Sequence, residues 1–304
     1  GIMSHSSVYV NGLKAGSWPY GYSSFAFDIT DLVKPGETNV IAVYVNNPGD
    51  SSRWYPGAGI YRHVRLVELN PIHIDHWGVA ITTPEVTEAH GTLNVKTTIA
   101  NAASSNPSAV TVRTTVLCPE GTPCGSEESR EDLSDNFTFE HSLVVTKPQR
   151  WSIETPVQYT VRTEVLVDGE VVDTVDTRFG FRTLRFDPNL GFFINDQPVK
   201  MKGVCLHHDL GPLGAALNVT ALRRQLQMLK DMGCNAIRTG HTPPAPELPA
   251  LASEMGILIL DELFDEWKYS QQGNGYHILW DEWAEKDLRA LIKRDRNHPS
   301  VIMW

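Results

Sequence analysis

The sequence predicts a multidomain protein in which β-rich regions precede an α/β region built on a parallel sheet. Residues 1 to about 183 contain short strand-like segments separated by polar turns, with no helical periodicity. From about Leu184 onward, short apolar strands alternate with helical segments. Three of those strands end in polar or charged residues, an arrangement typical of a parallel sheet buried on both faces. We therefore expect three domains, over residues 1–70, 71–183 and 184–304.

Composition and charge exclude several classes of partner. The chain has 304 residues, 41% of them hydrophobic and 20% charged, as in an ordinary globular protein. Its formal net charge of −10, with no cluster of lysine and arginine, argues against a nucleic-acid surface. No apolar run approaches the roughly 20 residues that span a bilayer. We expect neither nucleic acid nor membrane as a partner.

The first region, residues 1–70, has strand and hairpin signals. Val8–Val10 precedes Asn11-Gly12, a pair typical of a tight hairpin turn. Strands are predicted over Phe25–Ile29 and Asn39–Val45. An aromatic and glycine-rich loop follows from Arg53 to Arg62.

The second region, residues 71–183, predicts an immunoglobulin-like β-sandwich. Its short strands are separated by polar turns, among them the hairpin pair Asp168-Gly169. No catalytic constellation occurs here, so a scaffolding role is expected. The predicted strands include Gly78–Thr82, Leu93–Ile99, Val110–Val116, Tyr159–Val165 and Thr177–Arg182.

The cysteines and glycosylation sequons bear on localisation. Cys118 and Cys124 flank a predicted hairpin tip, where a local disulfide would imply an oxidising compartment. Cys205 and Cys234 are expected to be inert apolar residues of buried strands. Sequons at Asn136 and Asn218 add a slight lean towards secretion, and localisation otherwise stays open.

The third region, residues 184–304, carries the chemistry. Phe192–Val199 predicts a hairpin, and helices are expected around Leu222, around Leu248 and over Trp280–Arg296. A fourth strand is predicted at Val301–Trp304. The first three strands of the parallel sheet end in His207-His208-Asp209, in Arg238 followed by His241, and in Asp261-Glu262. Such residues can be simple caps and turns, but three consecutive strands ending this way favour a functional site.

The motifs around these strand ends resemble glycoside hydrolase family 2, and its β-galactosidase branch most closely. They are Lys202-Gly203-Val204 leading to His207, then the run from Asn235 to His241, then the run from Gly256 to Glu262. The resemblance implies that residues 1–70 belong to a jelly-roll-like β-sandwich that lends a loop to the active site. It also implies an immunoglobulin-like sandwich over 71–183 and the first half of a (β/α)8 TIM barrel over 184–304.

The implied activity is retaining hydrolysis of terminal β-D-galactosides through a covalent glycosyl-enzyme. This mechanism needs two carboxylates about 5 to 5.5 Å apart. In the resembled family the acid/base glutamate directly follows the run that ends here at Trp304, and the nucleophile comes later. We therefore expect no catalytic residue within the chain and no activity from the chain alone. Asp261 and Glu262 do not replace the missing pair, because neighbours on an extended strand point to opposite faces.

The same resemblance implies that His207, Asp209, Arg238 and His241 bind the sugar. Arg53 and Asp50 belong to the loop that would approach the site, but neither is included in the predicted set. Some family members bind magnesium near this strand, and Glu266 occupies a ligand-like position. Lys268 stands where a histidine is expected, so neither metal nor cofactor is predicted.

Three alternatives remain open at the level of sequence. The sugar could be a β-glucuronide or a β-mannoside within the same family. The chain could also be a non-catalytic carbohydrate-binding protein built on the sandwiches. A homo-oligomer of the full-length form is possible.

Overall fold

The computed structural model describes residues 1–103, 109–132 and 136–304, and it begins with a small antiparallel sheet. The strands of this region are β1 (Ile2–Met3), β2 (Ser6–Val10), β3 (Leu13–Trp18), β4 (Ile41–Tyr44) and β5 (Gly59–Ile60). Strand β2 lies between β3 and β4, and β1 pairs with β5. The predicted Asn-Gly hairpin is confirmed, because Asn11 and Gly12 both adopt positive φ between β2 and β3.

The strand predicted over Phe25–Ile29 is wrong. This segment joins no sheet of the described chain and leads into a short 3-10 turn at Thr30–Leu32. Its aromatic side chains pack instead, with the ring of Phe25 stacked 5.5 Å from that of Trp18. The alternation of apolar residues in this segment therefore reflects packing of aromatic rings and not hydrogen bonding to a neighbouring strand.

The second region forms two facing antiparallel sheets, which confirms the sandwich class. One sheet has the order β10-β7-β6 and the other β12-β11-β8-β9. Their apolar faces enclose one core, which includes Leu93, Val112 and Phe139. The strands are β6 (Ile72–Val86), β7 (His90–Asn101), β8 (Val110–Leu117), β9 (Pro123–Glu131), β10 (Asn136–Thr146), β11 (Tyr159–Val167) and β12 (Glu170–Phe179).

Cys118 and Cys124 are free thiols, so the disulfide that the sequence leaves open is not formed. The two side chains do lie close together at the β8–β9 turn. Burial, together with a hydrogen bond to Cys118, raises the pKa of the Cys124 thiol to about 12. Of the two sequons, Asn136 has its side chain outside the described residues. The side chain of Asn218 accepts a hydrogen bond from the amide of Ala221 at the start of a helix.

A three-stranded antiparallel sheet covers the N-terminal ends of the parallel strands. It contains β13 (Leu184–Asp187), β14 (Gly191–Ile194) and β15 (Gln197–Pro198), which confirms the predicted hairpin. Asn195 and Asp196 form its turn with positive φ. Phe192 and Ile194 pack with Trp151 and with residues of the strands that follow.

Four parallel strands and three helices complete the fold in the predicted order. They are β16 (Gly203–Cys205), α1 (Val219–Asp231), β17 (Ala236–Arg238), α2 (Glu247–Met255), β18 (Leu258–Leu260), α3 (Trp280–Asp295) and β19 (Val301–Met303). The strand order β16-β17-β18-β19 is that of the first half of a TIM barrel. Leu222 and Leu226 of α1 face the sheet, and Gly256 ends α2 in the left-handed conformation.

Asp287 of α3 ties the first region to the α/β region. Its fully buried carboxylate accepts hydrogen bonds from Trp18 Nε1 (2.8 Å), Ser23 Oγ (2.5 Å) and Tyr276 Oη (2.5 Å). Burial raises its pKa in spite of these donors. The β-sandwich regions and the half-barrel are thus in contact with one another. The domain boundaries at residues 70 and 183 stay predictions. None of the helices formed by the described residues is long and apolar enough to cross a membrane.

Candidate active site

The carboxyl ends of β16, β17 and β18 bring three of the four predicted sugar-binding residues together. The parallel register aligns Cys205, Arg238 and Leu260, so the segments that follow these strands lie side by side. His207 follows β16, and the ring centroids of His207 and His241 are 5.4 Å apart. Arg238 and His241 are hydrogen-bonded to each other.

Arg238 is the cation at the centre of this cluster. Its Nε donates to Oε1 of Glu262 over 2.5 Å, and its Nη2 donates to Nδ1 of His241 over 3.0 Å. A third contact joins Nη1 to Sγ of Cys205 over 3.5 Å. The hydrogen bonds to Cys205 and Glu262 raise the pKa of the guanidinium. Cys205 is exposed and part of this network, so the expectation of a buried apolar residue is wrong at this position.

Nδ1 of His241 lies between a donor, the Arg238 guanidinium, and an acceptor, the Glu262 carboxylate. When Nδ1 accepts from Arg238, the proton of the neutral imidazole is on Nε2. That nitrogen makes no hydrogen bond within the described residues and can donate to a hydroxyl group. Oε2 of Glu262 lies 3.3 Å from Nδ1.

Asp261 and Glu262 point to opposite faces, as predicted. The Glu262 carboxylate joins the site, and its backbone amide is held by Oγ1 of Thr239 over 2.8 Å. Asp261 is 2% exposed on the other side. Burial and the neighbouring Asp295 carboxylate raise the pKa of Asp261, so it favours the protonated form. The two carboxyl groups therefore cannot act on one substrate.

Trp54 forms a wall of the site that sequence reasoning missed. Its ring centroid lies 6.1 Å from that of His207 and 6.0 Å from that of His241. Its indole Nε1 donates to Oη of Tyr22 over 3.0 Å. The available signal was the aromatic and glycine-rich character of residues 53–62, which is equally typical of an ordinary loop.

His208 faces away from this cluster into an aromatic environment. Its ring packs edge-on against Tyr22, with centroids 5.1 Å apart, and lies 6.0 Å from the ring of Tyr61. Burial and the charge of Arg62 lower its pKa to about 4. His208 is therefore a neutral packing residue.

Asp209 does not join the cluster. Its Oδ1 accepts a hydrogen bond from the amide of Gly211 over 3.3 Å. Asp209 lines an open cavity between the strand ends and helices α1 and α2. His207 is shared between this cavity and the cluster.

Asp50 and Arg53 hold the N-terminal loop against the loop that follows β18. The Asp50 carboxylate accepts from the amide of Gly273 over 3.0 Å, and its carbonyl accepts from the amide of Asn274 over 2.8 Å. Arg53 Nε donates to Oδ2 of Asp265 over 3.0 Å. These contacts hold the loop that carries Trp54, and the Arg53 guanidinium lies 5.9 Å from the centroid of the Trp54 ring.

Glu266 does not fit the role of a metal ligand. Its buried carboxylate accepts hydrogen bonds from the backbone amides of Gln271 (2.8 Å) and His277 (2.9 Å) and lies 2.8 Å from Nδ1 of His277. Burial alone would raise its pKa, but the His277 and Gln271 hydrogen bonds hold it below the usual value. Lys268 is paired with Asp281 over 3.0 Å. Within the described ranges, no group of three or more metal-binding side chains occurs.

Comparison with known proteins identifies the family. Residues 188–304 match the model of the glycosyl hydrolases family 2 TIM barrel domain, and residues 72–182 match a second family model, glycosyl hydrolases family 2. The chain belongs to glycosyl hydrolase family 2. The family predicted from the strand-end motifs is therefore confirmed.

Family 2 relatives of different printed specificity resemble the chain along its whole length. It is 44% identical over 307 residues to beta-galactosidase BoGH2A of Bacteroides ovatus, covering 100% of this chain and 36% of that protein. It is 37% identical to a putative beta-glucuronidase of Formosa agariphila, covering 100% of this chain and 29% of that protein. A crystal structure of a family 2 member from Bacteroides cellulosilyticus superimposes with a TM-score of 0.97 at 37% identity, covering 100% of this chain and 39% of that one.

The chain thus spans about a third of the length of these family 2 relatives. Their names include both galactosidases and glucuronidases, so membership of family 2 establishes a β-glycosidase lineage without fixing the sugar.

Proposed function

We propose that this chain forms the sugar-binding part of the active site of a retaining β-glycosidase that releases terminal β-D-galactose. The observation that carries the proposal is the cluster of Trp54, His207, Arg238, His241 and Glu262 at the carboxyl ends of parallel strands. Catalytic sites of barrels of this class are built at that end.

Each proposed binding residue has a chemical role towards a sugar ring. His241 donates from Nε2 to a ring hydroxyl, and His207 provides a second polar contact from the neighbouring strand end. Trp54 offers an apolar face to the C–H groups of the ring. Arg238 supplies a fixed positive charge beneath the ring, which favours anionic carboxylates nearby. Asp209 is proposed as a peripheral hydroxyl contact from the adjoining cavity.

The catalytic carboxylates are proposed to lie outside this sequence. Glu262 is committed to Arg238 and His241, which suits a role in holding them in place. A retaining mechanism needs an acid/base and a nucleophile about 5 to 5.5 Å apart, and Asp261 and Glu262 face opposite ways. The two glutamates would complete a double displacement above the cluster.

The second candidate is a β-glucuronidase, favoured by the printed names of several relatives. A uronic acid carries a carboxylate that calls for an unpaired cation in the site. At the strand ends described here, Arg238 is the cation, and its guanidinium is already bonded to Glu262. This pairing favours the neutral galactoside.

The test compares the two sugars directly. The full translation product of the gene is assayed on p-nitrophenyl β-galactoside and β-glucuronide, and the anomer first released is identified by proton NMR. We expect a higher kcat/KM for the galactoside and release of the β-anomer. Preference for the glucuronide would establish the second candidate, and release of the α-anomer would refute the retaining mechanism.

A further inference from the structure

Arg62 is a buried arginine that the proposed chemistry does not use. Its side chain is 7% exposed, and no carboxylate of the described residues lies within ion-pair distance of it. Its Nη1 donates to the carbonyl of Tyr22 over 2.7 Å, and its Nη2 donates to the carbonyl of Pro243 over 2.8 Å. The guanidinium also lies 4.9 Å from the ring centroid of Tyr61. Burying a charge without a counter-ion costs free energy, and the two carbonyls are what stabilise the guanidinium here.

The two carbonyls belong to the two walls of the site. Pro243 comes two residues after His241, in the loop that follows β17. Tyr22 holds the other wall, since its hydroxyl accepts the indole hydrogen bond of Trp54. Arg62 therefore links the backbone beneath Trp54 with the backbone that carries His241.

A forked, permanently charged donor suits two carbonyls that belong to different segments. The guanidinium presents its two terminal nitrogens in a fixed plane. A lysine ammonium has three donors on one nitrogen and cannot reproduce the spacing of the two guanidinium nitrogens, and an apolar side chain would leave two buried carbonyls without partners. Arg62 is thus one bridge between the two walls, in addition to the contacts of Asp50 and Arg53 that hold the Trp54 loop.

We propose that Arg62 is a positioning residue that sets the distance between the Trp54 wall and the His241 wall of the sugar site. Only the expected loss of kcat/KM rests on the proposed function. The effect of Arg62 on the position of Trp54 does not depend on any activity, so it can be tested without a substrate.

Arg182 provides a matched control. It is also a largely buried arginine, and it also donates to two backbone carbonyls, those of Pro299 (2.5 Å) and Val301 (2.7 Å). Those carbonyls lie at the N-terminal end of β19, on the side of the sheet away from the cluster. Loss of Arg182 removes similar hydrogen bonds without touching either wall.

The experiment uses the full translation product with Arg62→Met, Arg62→Lys and Arg182→Met. Tryptophan is replaced by 5-fluorotryptophan, and the ¹⁹F resonance of Trp54 is assigned with Trp54→Phe. Thermal unfolding fixes a temperature at which every variant is folded. The ¹⁹F spectrum and kcat/KM on an aryl β-galactoside are then measured at that temperature.

We expect Arg62→Met to shift the Trp54 resonance and to lower kcat/KM by up to about 100-fold, the effect of a misplacement near 1 Å. Arg62→Lys should recover part of both changes. Arg182→Met should lose thermal stability while keeping the Trp54 resonance and kcat/KM close to those of the parent. An unmoved Trp54 resonance in Arg62→Met, or an equal loss of kcat/KM in Arg182→Met, would overturn the proposal.

The experiment also covers a variant that does not fold and a parent protein that shows no activity. If Arg62→Met does not fold, Tyr22→Phe replaces it, because this variant removes only the hydroxyl that holds Trp54. A shifted resonance in Tyr22→Phe and in Arg62→Lys then supports the proposal, and an unmoved resonance in both overturns it. If the parent protein hydrolyses no aryl glycoside, the proposed function fails, and the ¹⁹F comparison alone decides the role of Arg62.

Discussion

Nε of Arg238 lies 2.5 Å from Oε1 of Glu262, and this pair holds His241 by a further hydrogen bond from the same guanidinium. The carboxylate that follows β18 thus neutralises the cation that ends β17. Glu262 is a partner of Arg238 and not a free acid.

Glu262→Gln should weaken this pair while keeping its shape. A charge-assisted hydrogen bond is worth roughly 1 kcal/mol more than a neutral one, so kcat/KM on a galactoside should fall about fivefold. Because Arg238 is then unpaired, kcat/KM on a glucuronide should fall less. The matched control is Glu254→Gln, which removes a charge from the exposed Glu254–Arg223 pair. Equal kinetics for Glu262→Gln and Glu254→Gln would speak against a role for Glu262 in the site.

His207→Ala and His241→Ala should each raise the activation barrier on an aryl β-galactoside by roughly 2 to 4 kcal/mol, if their hydrogen bonds strengthen in the transition state. Steady-state kinetics on the full translation product measure this, and circular dichroism verifies the fold. His90→Ala, in the exposed His90–Glu85 pair of the sandwich, is the control. Near-parental rates for both site variants would reduce these histidines to ordinary strand-end residues.

His208 should make the folded state sensitive to acid. Its pKa of about 4 in the folded chain is below its ordinary value of 6.5, so the folded state favours the neutral imidazole. This contribution is complete above pH 6.5 and is lost as the pH falls towards 4, up to about 3 kcal/mol in total.

Urea unfolding at several pH values between 7.5 and 4.5 measures that loss. His208→Asn should flatten the decline in the free energy of unfolding relative to the parent. The exposed-site control His90→Asn should not. If the parent and His208→Asn lose stability in parallel, the imidazole of His208 is not the sensor.

Asp287→Ala should destabilise the contact between the first region and α3. It leaves the donors of Trp18, Ser23 and Tyr276 unpaired in a buried site, which costs about 3 kcal/mol or more. Asp281→Ala, on the exposed first turn of α3, should change the free energy of unfolding by much less. Denaturant unfolding compares the two, and similar costs would refute the anchoring role.

The 304-residue chain expressed alone should not release nitrophenol from a β-galactoside. A positioned acid/base by itself contributes about 10²- to 10⁴-fold. A retaining mechanism needs two carboxylates, and the cluster defined above contains Glu262, which is paired with Arg238. A complementing C-terminal segment is the positive control. Turnover by the chain alone, above a blank from the host, would show that its own carboxylates perform the chemistry.

The sequence could predict which residues lie at the strand ends, but not which side chains from other parts of the chain contact them. His207, Arg238 and His241 follow apolar strands, and the parallel order of those strands alone makes the three neighbours. The pairing of Glu262 with Arg238 depends on side-chain directions across two strands. The approach of Trp54 depends on long-range contacts such as Asp50 with Gly273, which no local pattern encodes.

Errors arose where periodicity and backbone pairing differ. Phe25–Ile29 alternates like a strand, yet its rings pack on Trp18 without a neighbouring ladder. Cys205 ends a strand of buried type, yet its sulfur faces the open end of the sheet beside Arg238. In each case tertiary surroundings override the local signal.

The contacts of Asp50 and Arg53 with residues 265–274 determine when the sugar site can form during synthesis on the ribosome. These partners are separated by more than 200 positions in the chain. At synthesis rates of about 5 to 20 residues per second, the loop that carries Trp54 emerges roughly 10 to 40 s before the segment that fixes it. During that interval the sandwiches can form, but the sugar site cannot. The nascent chain therefore acquires its binding pocket as a late event of translation.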